Sequence, residues 1–598
     1  MPDQPKKGPQ SLPGVSALSV YVPRLRVPLQ AWCEWTDSPW DKVQSVVGRS
    51  FRVVGQHENV YTMAANAVLR LIRKNDIDPR NVGWLGLGTE SSTDNAVGAV
   101  IVRGMVDQAL DELGLPRLSR QLEVPEFKHA CLGGIYALKS ALRYVSSDGR
   151  KRQAIVVSSD VAEYERGSTG EQTQGAGAVA ALIEASPRLL GIDLEHAGSA
   201  SDYRGPDFRK PFARHFAQGY ATRTRRPSDF PVFSGKYSTV SYLDETVHAV
   251  ESMLERLGVS AGQYYREVKA LFFHRPYHLM PIQAMSFLYV RGLVRGDHHQ
   301  DELASLCHAA GVSVADVVRE TFSSPDLFAQ LSSTPGDDLE VSPYEATSTA
   351  ASTLRRQAGF IELLVKKMSL GSDAVKDVGN LYCAALPAWI AAGLEEAHRV
   401  GLELESAPMV AVGYGSGDAA EAIPCYAVPG WQEAAARIGF AEALAGGIDL
   451  TRSQYEALHD RRDAPDVAYQ PQDEFAIHRV GKNTSRASKI SGSSTTSSSA
   501  EPQRRRCLWL PNERGQRETT RTAALVCVTA ARHNDNVTRI RAGHWARRGA
   551  KSPQIGGAAR PSTALGLQLC PSGHPAAGRS KIVALRHCAL QIPSRVAR

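Results

Sequence analysis

Short apolar runs alternate along this chain with longer stretches in which apolar positions recur every three or four residues. Val82–Gly88, Ala154–Ser159 and Ala176–Ile183 are runs of strand length bounded by turn residues, the pattern of strands buried on both faces. Asn59–Arg73 and Val247–Leu257 carry helical spacing. Ile135, Leu138, Leu142 and Val145 form a stripe that predicts an amphipathic helix opening near Leu132, with Asp148-Gly149 as its stop. The second half echoes the first. Val268–Phe273 and Met409–Gly413 read as strands, one running into His274 and the other into Tyr414-Gly-Ser-Gly417. Asn380, preceded by Gly379, is predicted to open a helix over Leu381–Ala397. Strands alternating with helices predict an α/β architecture, a central sheet covered by helices.

That pattern holds from about Gly14 to Val480 and divides the chain. Residues 1–13 read as a disordered lead-in, 14–267 and 268–480 as two halves of similar plan, and 481–598 as a separate Ser/Arg-rich tail. Ser491–Ser499 is almost pure Ser and Thr, a linker composition. Residues 481–598 carry 21 Lys and Arg, 17 of them Arg, against four acids, a net of +17; residues 1–480 carry 48 against 58, a net of −10. The overall +7 thus hides an acidic body and a basic tail. With dispersed arginines and no sustained periodicity, the tail reads as disordered or as out-of-frame translation of GC-rich coding DNA. A nucleic-acid-binding tail is the weaker alternative.

The chain has 598 residues, 43% hydrophobic and 22% charged, the balance of a soluble globular protein. No uninterrupted apolar run approaches the ~20 residues of a membrane helix, and the polar N-terminus lacks a signal-peptide core. Nine cysteines are scattered without a Cys-x-x-Cys pair. Structural zinc and a redox dithiol are therefore not expected, and a reducing cytoplasm is the simplest setting.

Candidate chemistry centres on His129-Ala-Cys131-Leu-Gly-Gly134. It places Cys131 at a predicted helix N-terminus, where unpaired N–H groups and the helix dipole favour the thiolate, the form that attacks thioesters. Three further motifs accompany it: Gly88-Thr-Glu90-Ser-Ser-Thr-Asp94, with a carboxylate at a strand end; Phe273-His274-Arg-Pro-Tyr277; and Gly379-Asn380-Leu-Tyr382, with the turn Gly413–Gly417 downstream. Taken singly, each has a plain structural reading. Cys131 could be a small core residue, Glu90 a salt-bridging acid, His274 a hydrogen-bonded structural histidine, Asn380 a helix cap and Gly413–Gly417 a tight turn.

In this order, the four settings resemble the 3-hydroxy-3-methylglutaryl-CoA synthase family of the thiolase superfamily. Asp207-Phe-Arg-Lys-Pro211, Pro231–Ser238 and Gly175–Ala180 are similar to three further segments of that family. The resemblance covers roughly residues 14–430. It implies a thiolase-like fold, a duplicated αβαβα layering. It aligns Cys131 with the acyl-accepting cysteine and Glu90 with the general acid/base. His274 aligns with the histidine that engages the acetoacetyl thioester, and Asn380 with a hydrogen-bonding asparagine of the same site. Backbone N–H groups of Cys131 and Ser416 are then candidates for an oxyanion hole, with Gly415, Tyr382 and Arg275 as substrate-binding positions. The implied reaction condenses acetyl-CoA with acetoacetyl-CoA for isoprenoid (mevalonate) synthesis, in a cytoplasmic homodimer. CoA thioesters enter as substrates, and no metal or other cofactor is implied.

The chain departs from the family pattern at Leu132, where an aromatic residue is usual, at Gly413, where serine is common, and at Leu279, where a CoA-binding lysine is usual. Arg275 and His278 are the candidate substitutes for that cation. The alternatives are a polyketide β-branching synthase acting on acyl-carrier-protein substrates, a ketoacyl synthase III-like condensing enzyme, and a non-catalytic thiolase-fold scaffold.

Overall fold

The computed structural model describes residues 11–477 apart from 93–96, 205–206, 208–229, 232–234, 297–298, 333–341, 463, 465–466 and 468. Asp94, residues 208–211 of the Asp207 motif, residues 232–234, the Ser/Thr run and the whole 481–598 tail lie outside the described residues.

One mixed sheet organises the molecule. Its strands run, in spatial order, Ala270–Phe273, Pro408–Gly415, Ala419–Ala427, Leu190–Ile192, Gly14–Tyr21, Gly175–Glu184, Gln153–Ala162, Val82–Gly88 and Glu126–Phe127, with Gly198–Ser201 pairing beside Ala419–Ala427. Both halves of the chain contribute. The strands at 190–192 and 198–201 precede residue 268 but pair with Ala419–Ala427, a strand of the second half.

The strands are apolar on both sides because both sides are covered. In Gln153–Ala162, Ala154 and Val156 pack in one core with the helices Gly133–Ser146 and Ala385–Arg399. Ile155 and Val157 face the opposite core, with the helices Val60–Lys74 and Gly98–Glu112. The two-residue period of a strand assigns neighbours to opposite faces.

The expected strands and the Gly133–Ser146 helix are present, and Val247–Leu257 is the second half of a longer helix, Lys236–Leu257. Asn59 opens the Val60–Lys74 helix as a capping box with Thr62. The expected helix over 381–397 differs at its start. Asn380 gives its backbone N–H to the Thr173 carbonyl at 3.0 Å, and Tyr382 takes a positive φ of 46°. The chain therefore makes a short 3₁₀ turn, Tyr382–Ala384, before the α-helix Ala385–Arg399 begins. Among the described residues, no helix is long and apolar enough to cross a membrane.

Candidate active site

A close backbone contact creates the site. Strand Val82–Gly88 ends against the first turn of helix Gly133–Ser146, and a Cβ on Gly88 would sit 2.4 Å from the Cα of Gly134. Only glycine permits that approach. Two residues past Gly88 stands Glu90, and two residues before the helix stands Cys131. The contact brings the Cys131 Sγ to 3.5 Å from Glu90 Oε2, with the thiol as donor.

The loop carrying Glu90 hangs on Asp160, a fully buried carboxylate near the end of strand Gln153–Ala162. Asp160 Oδ1 accepts the Thr89 hydroxyl at 2.8 Å, the backbone N–H groups of Glu90 and Ser91 at 2.9 Å each, and the Ser91 hydroxyl at 2.7 Å. Its Oδ2 accepts the N–H of Cys383 at 2.9 Å, and the Cys383 thiol donates to the Ala130 carbonyl at 3.0 Å. One carboxylate thus fixes the Glu90 loop and the chain beyond Asn380. Sequence reasoning missed Asp160. The available signal was an acid closing a strand-length apolar run, Ala154–Ser159.

The expected thiolate at Cys131 is not the resting state. Burial first, then the Glu90 charge, with Cys383 and Asp160 beyond it, raises the Cys131 thiol well above its ordinary range. Leu132 stands between Cys131 and the first helical residue, so desolvation and a neighbouring anion outweigh the helix dipole. Cys131 rests as a thiol, with a carboxylate in position to take its proton.

The other site residues converge on a cavity of about 290 Å³ lined by Cys131, His274, Asn380, Tyr382, Tyr164 and Ser416, among others. His274 follows strand Ala270–Phe273; its N–H donates to the Val412 carbonyl at 2.6 Å, and its carbonyl accepts the Tyr242 hydroxyl at 2.9 Å. Its ring stacks on Tyr414 with centroids 6.4 Å apart. Burial lowers His274 to about 3, so the imidazole is neutral at physiological pH. The Asn380 Oδ1 accepts the N–H of Tyr382 at 2.9 Å. Tyr382 meets Tyr164 edge to face, and Cys131 packs against the pair. Tyr164 was not singled out from sequence.

Arg275, an expected substrate-binding position, is not among the residues that line this cavity. It is buried, donates to the Ser372 carbonyl and hydroxyl at 3.0 Å and to His278 Nδ1 at 2.9 Å, and lies over the Trp389 ring. Burial first, then the Arg275 charge, lowers His278 to about 3. With Leu279 opening the next helix, neither candidate supplies the missing lysine's charge. Gly415 packs on the turn that carries Cys131; a Cβ there would meet the His129 carbonyl oxygen at 2.6 Å and Leu132 Cβ at 2.8 Å. A Cβ on Gly413 would lie 2.7 Å from Leu132 Cδ1. The two family departures, Leu132 and Gly413, therefore share one packed space.

A second chamber of about 590 Å³ adjoins the cavity through Val46, Val47, Thr169 and Gln172, which line both. It is walled by Trp32, Trp35 and Tyr455, with Lys42, Arg166 and Arg452 around it. Arg166 pairs with Asp460 and Glu456, and Arg452 with Glu456, while Lys42 is exposed. Among the described residues no group of three or more His, Cys, Asp or Glu could hold a metal ion.

A half-buried cysteine beside a carboxylate, on a cavity that a histidine and an asparagine also line, at the edge of a sheet covered by helices, is the arrangement expected of a thiolase-like condensing enzyme. Residues 9–187 match the family model for the hydroxymethylglutaryl-coenzyme A synthase N terminal region. The chain is 26% identical over 406 residues to the hydroxymethylglutaryl-CoA synthase of Haloferax volcanii, covering 68% of this chain and 81% of that one. It is 28% identical over 273 residues to the Enterococcus faecalis enzyme, covering 46% of this chain and 63% of that one. Among solved structures, MvaS in complex with 3-hydroxy-3-methylglutaryl coenzyme A superposes with a TM-score of 0.61 at 24% identity, covering 79% of this chain and 97% of that one. The curacin biosynthetic pathway HMG synthase in complex with acetyl donor-ACP gives 0.53 at 20% identity, covering 75% and 88%. The chain is thus similar to hydroxymethylglutaryl-CoA synthases, in its N-terminal region by their family model and along most of its described length by curated relatives.

Proposed function

We propose that this protein condenses acetyl-CoA with acetoacetyl-CoA to give 3-hydroxy-3-methylglutaryl-CoA through an acetylated Cys131. The observation that carries the reading is the Cys131–Glu90 pair at 3.5 Å, with Cys131 lining the same cavity as His274 and Asn380. Glu90 accepts the Cys131 proton as sulfur attacks the acetyl thioester, and the proton leaves with the CoA thiol. Glu90 next removes a methyl proton from the acetyl group on Cys131, and the resulting enolate carbon adds to the ketone of acetoacetyl-CoA. The new alkoxide takes that proton back. Backbone N–H groups at Cys131 and Ser416 serve the thioester oxygen as it gains charge. His274, neutral as burial holds it, donates a hydrogen bond to the acceptor's thioester carbonyl, with Asn380 beside it. Water then cleaves the Cys131 thioester, releasing the free carboxylate of the product.

The chambers suit a CoA-borne substrate, the acyl end in the inner cavity and the carrier in the outer one. CoA thioesters are substrates here, and the reading needs no tightly held cofactor. The likeness to hydroxymethylglutaryl-CoA synthases supports reading the protein as a cytoplasmic homodimer with a place in isoprenoid synthesis. Sedimentation at micromolar concentration tests the dimer.

One observation favours a second reading, in which an acyl carrier protein presents the acyl groups. No lysine stands at 279, and Arg275 and His278 are committed to one another and to Ser372. Intact-mass spectrometry after incubation with acetyl-CoA decides. An acetyl adduct absent in Cys131→Ala and cleared by acetoacetyl-CoA with release of a six-carbon acid supports the CoA reading. An adduct formed only from an acetylated carrier protein supports the second. No adduct from either donor overturns both.

A further inference from the structure

The loop 163–174 contributes Tyr164, Thr169, Gly170, Gln172 and Thr173 to the cavity that Cys131 lines, yet it is held from outside the site by the last described helix, Arg452–His459. Tyr455 is buried, at 2% exposure, and its hydroxyl donates to Glu171 Oε1 at 2.7 Å while accepting from Gln174 Nε2 at 2.9 Å. The other end of the Gln174 amide accepts the Tyr164 N–H at 2.8 Å. Glu171 closes the loop on itself, its Oε2 accepting the Gly167 N–H at 2.5 Å. Two further ties run parallel: His459 Nε2 with the Tyr164 carbonyl at 2.8 Å, and a two-pronged Arg166–Asp460 pair at 3.0 and 2.8 Å. On the site side, Tyr164 packs with Tyr382 and Cys131, and the Thr173 carbonyl holds the N–H of Asn380.

Resting on the proposed acyl transfer, we propose that Tyr455 is a positioning residue for that reaction. It sets the 164–174 loop, and through it Tyr164 and Asn380, in the cavity that Cys131 lines. Phenylalanine at 455 keeps the ring but orphans a buried carboxylate oxygen and a buried amide N–H. Both losses fall on the loop, while the Arg166 and His459 ties still hold the helix in place.

The test uses the full chain and its Tyr455→Phe, Gln174→Leu and double variants. With Tyr455→Phe, the acetylation rate of Cys131 at saturating acetyl-CoA falls about tenfold, the scale of one lost buried hydrogen bond to a charged group. KM for acetyl-CoA changes less than threefold. Amide hydrogen exchange in 164–174 rises, and exchange in Gly133–Ser146 stays at the parent level. The double variant loses less than the two single losses combined, because both break the Tyr455–Gln174 bond while each also breaks one of its own, to Glu171 and to the Tyr164 N–H. Parent-like exchange in 164–174 with Tyr455→Phe overturns the proposal whatever the substrate is, since that readout needs no turnover. Additive losses in the double variant overturn it too. Failure of the parent chain to acetylate at all overturns the acyl-transfer reading, and with it the catalytic consequence of the tie.

Discussion

At Cys131, two carboxylates and a dry environment decide what one sulfur does. Burial first, then the Glu90 charge, raises the thiol well above its ordinary range, so the proposed attack requires that its proton be removed. Glu90→Gln removes the anion and lowers the thiol's titration range. The pH dependence of Cys131 alkylation by iodoacetamide is expected to shift to lower pH in that variant. A shift upward contradicts the assigned electrostatics. The same substitution leaves no base for the methyl proton, so condensation stops even where an acetyl adduct forms, which intact mass and product assay separate. Gly415 operates at the same scale through space alone. Its missing Cβ lets the 413–417 turn lie on the His129 carbonyl and Leu132. Gly415→Ala is expected to cost about 1–3 kcal/mol by overpacking, read from the urea midpoint, and to slow acetylation by displacing the Cys131 turn.

Elements meet at this site by their ends. The strand Val82–Gly88 delivers Glu90, the helix Gly133–Ser146 is preceded by Cys131, and the strand Ala270–Phe273 delivers His274. Ends of strands and helices carry free backbone donors and acceptors, and Asp160 ties the Glu90 loop to the turn beyond Asn380 by accepting from Thr89, Glu90, Ser91 and Cys383. Asp160→Ala leaves those donors buried and unpaired. The expected loss is about 3 kcal/mol or more in the urea midpoint, with Cys131 acetylation falling further than stability does. Asp160→Asn, which keeps an acceptor oxygen, retains more of both.

Across the whole molecule, residues after Arg452 return to the first strand. The Tyr21 hydroxyl lies between two carboxyl groups, 2.6 Å from Glu58 Oε1 and 2.9 Å from Glu474 Oε2, and Asn66 exchanges two hydrogen bonds with the backbone of Phe475. Burial raises Glu58 to about 7. A carboxyl raised in the folded state stabilises the fold fully below its unfolded range and loses that contribution as pH rises through about 7. Glu58→Gln is expected to flatten the fall in thermal midpoint between weakly acidic and weakly alkaline pH; an unchanged slope assigns it elsewhere. A chain ending at Val480 keeps these contacts and is expected to fold and to acetylate Cys131 like the full chain. Loss of folding on that truncation contradicts the reading of 481–598 as dispensable.

Strands, helices and the order of the chemical motifs were legible because period-two and period-3.6 patterns are local properties of the chain. Cys131, Glu90, His274 and Asn380 stood out for the same reason, each at the end of such a pattern, and the structure brings them to one place. Contacts between distant segments left no local trace. Asp160, Tyr164 and Tyr455 look ordinary in sequence, and Arg275 looked available until Ser372, His278 and Trp389 were found around it. The protonation of Cys131 was misread for a related reason. A helix N-terminus is visible in sequence, but burial and the distance to another chain segment's carboxylate are not. Local pattern specified the elements and the reactive groups at their ends, whereas packing between segments hundreds of residues apart decided their partners, charge states and room.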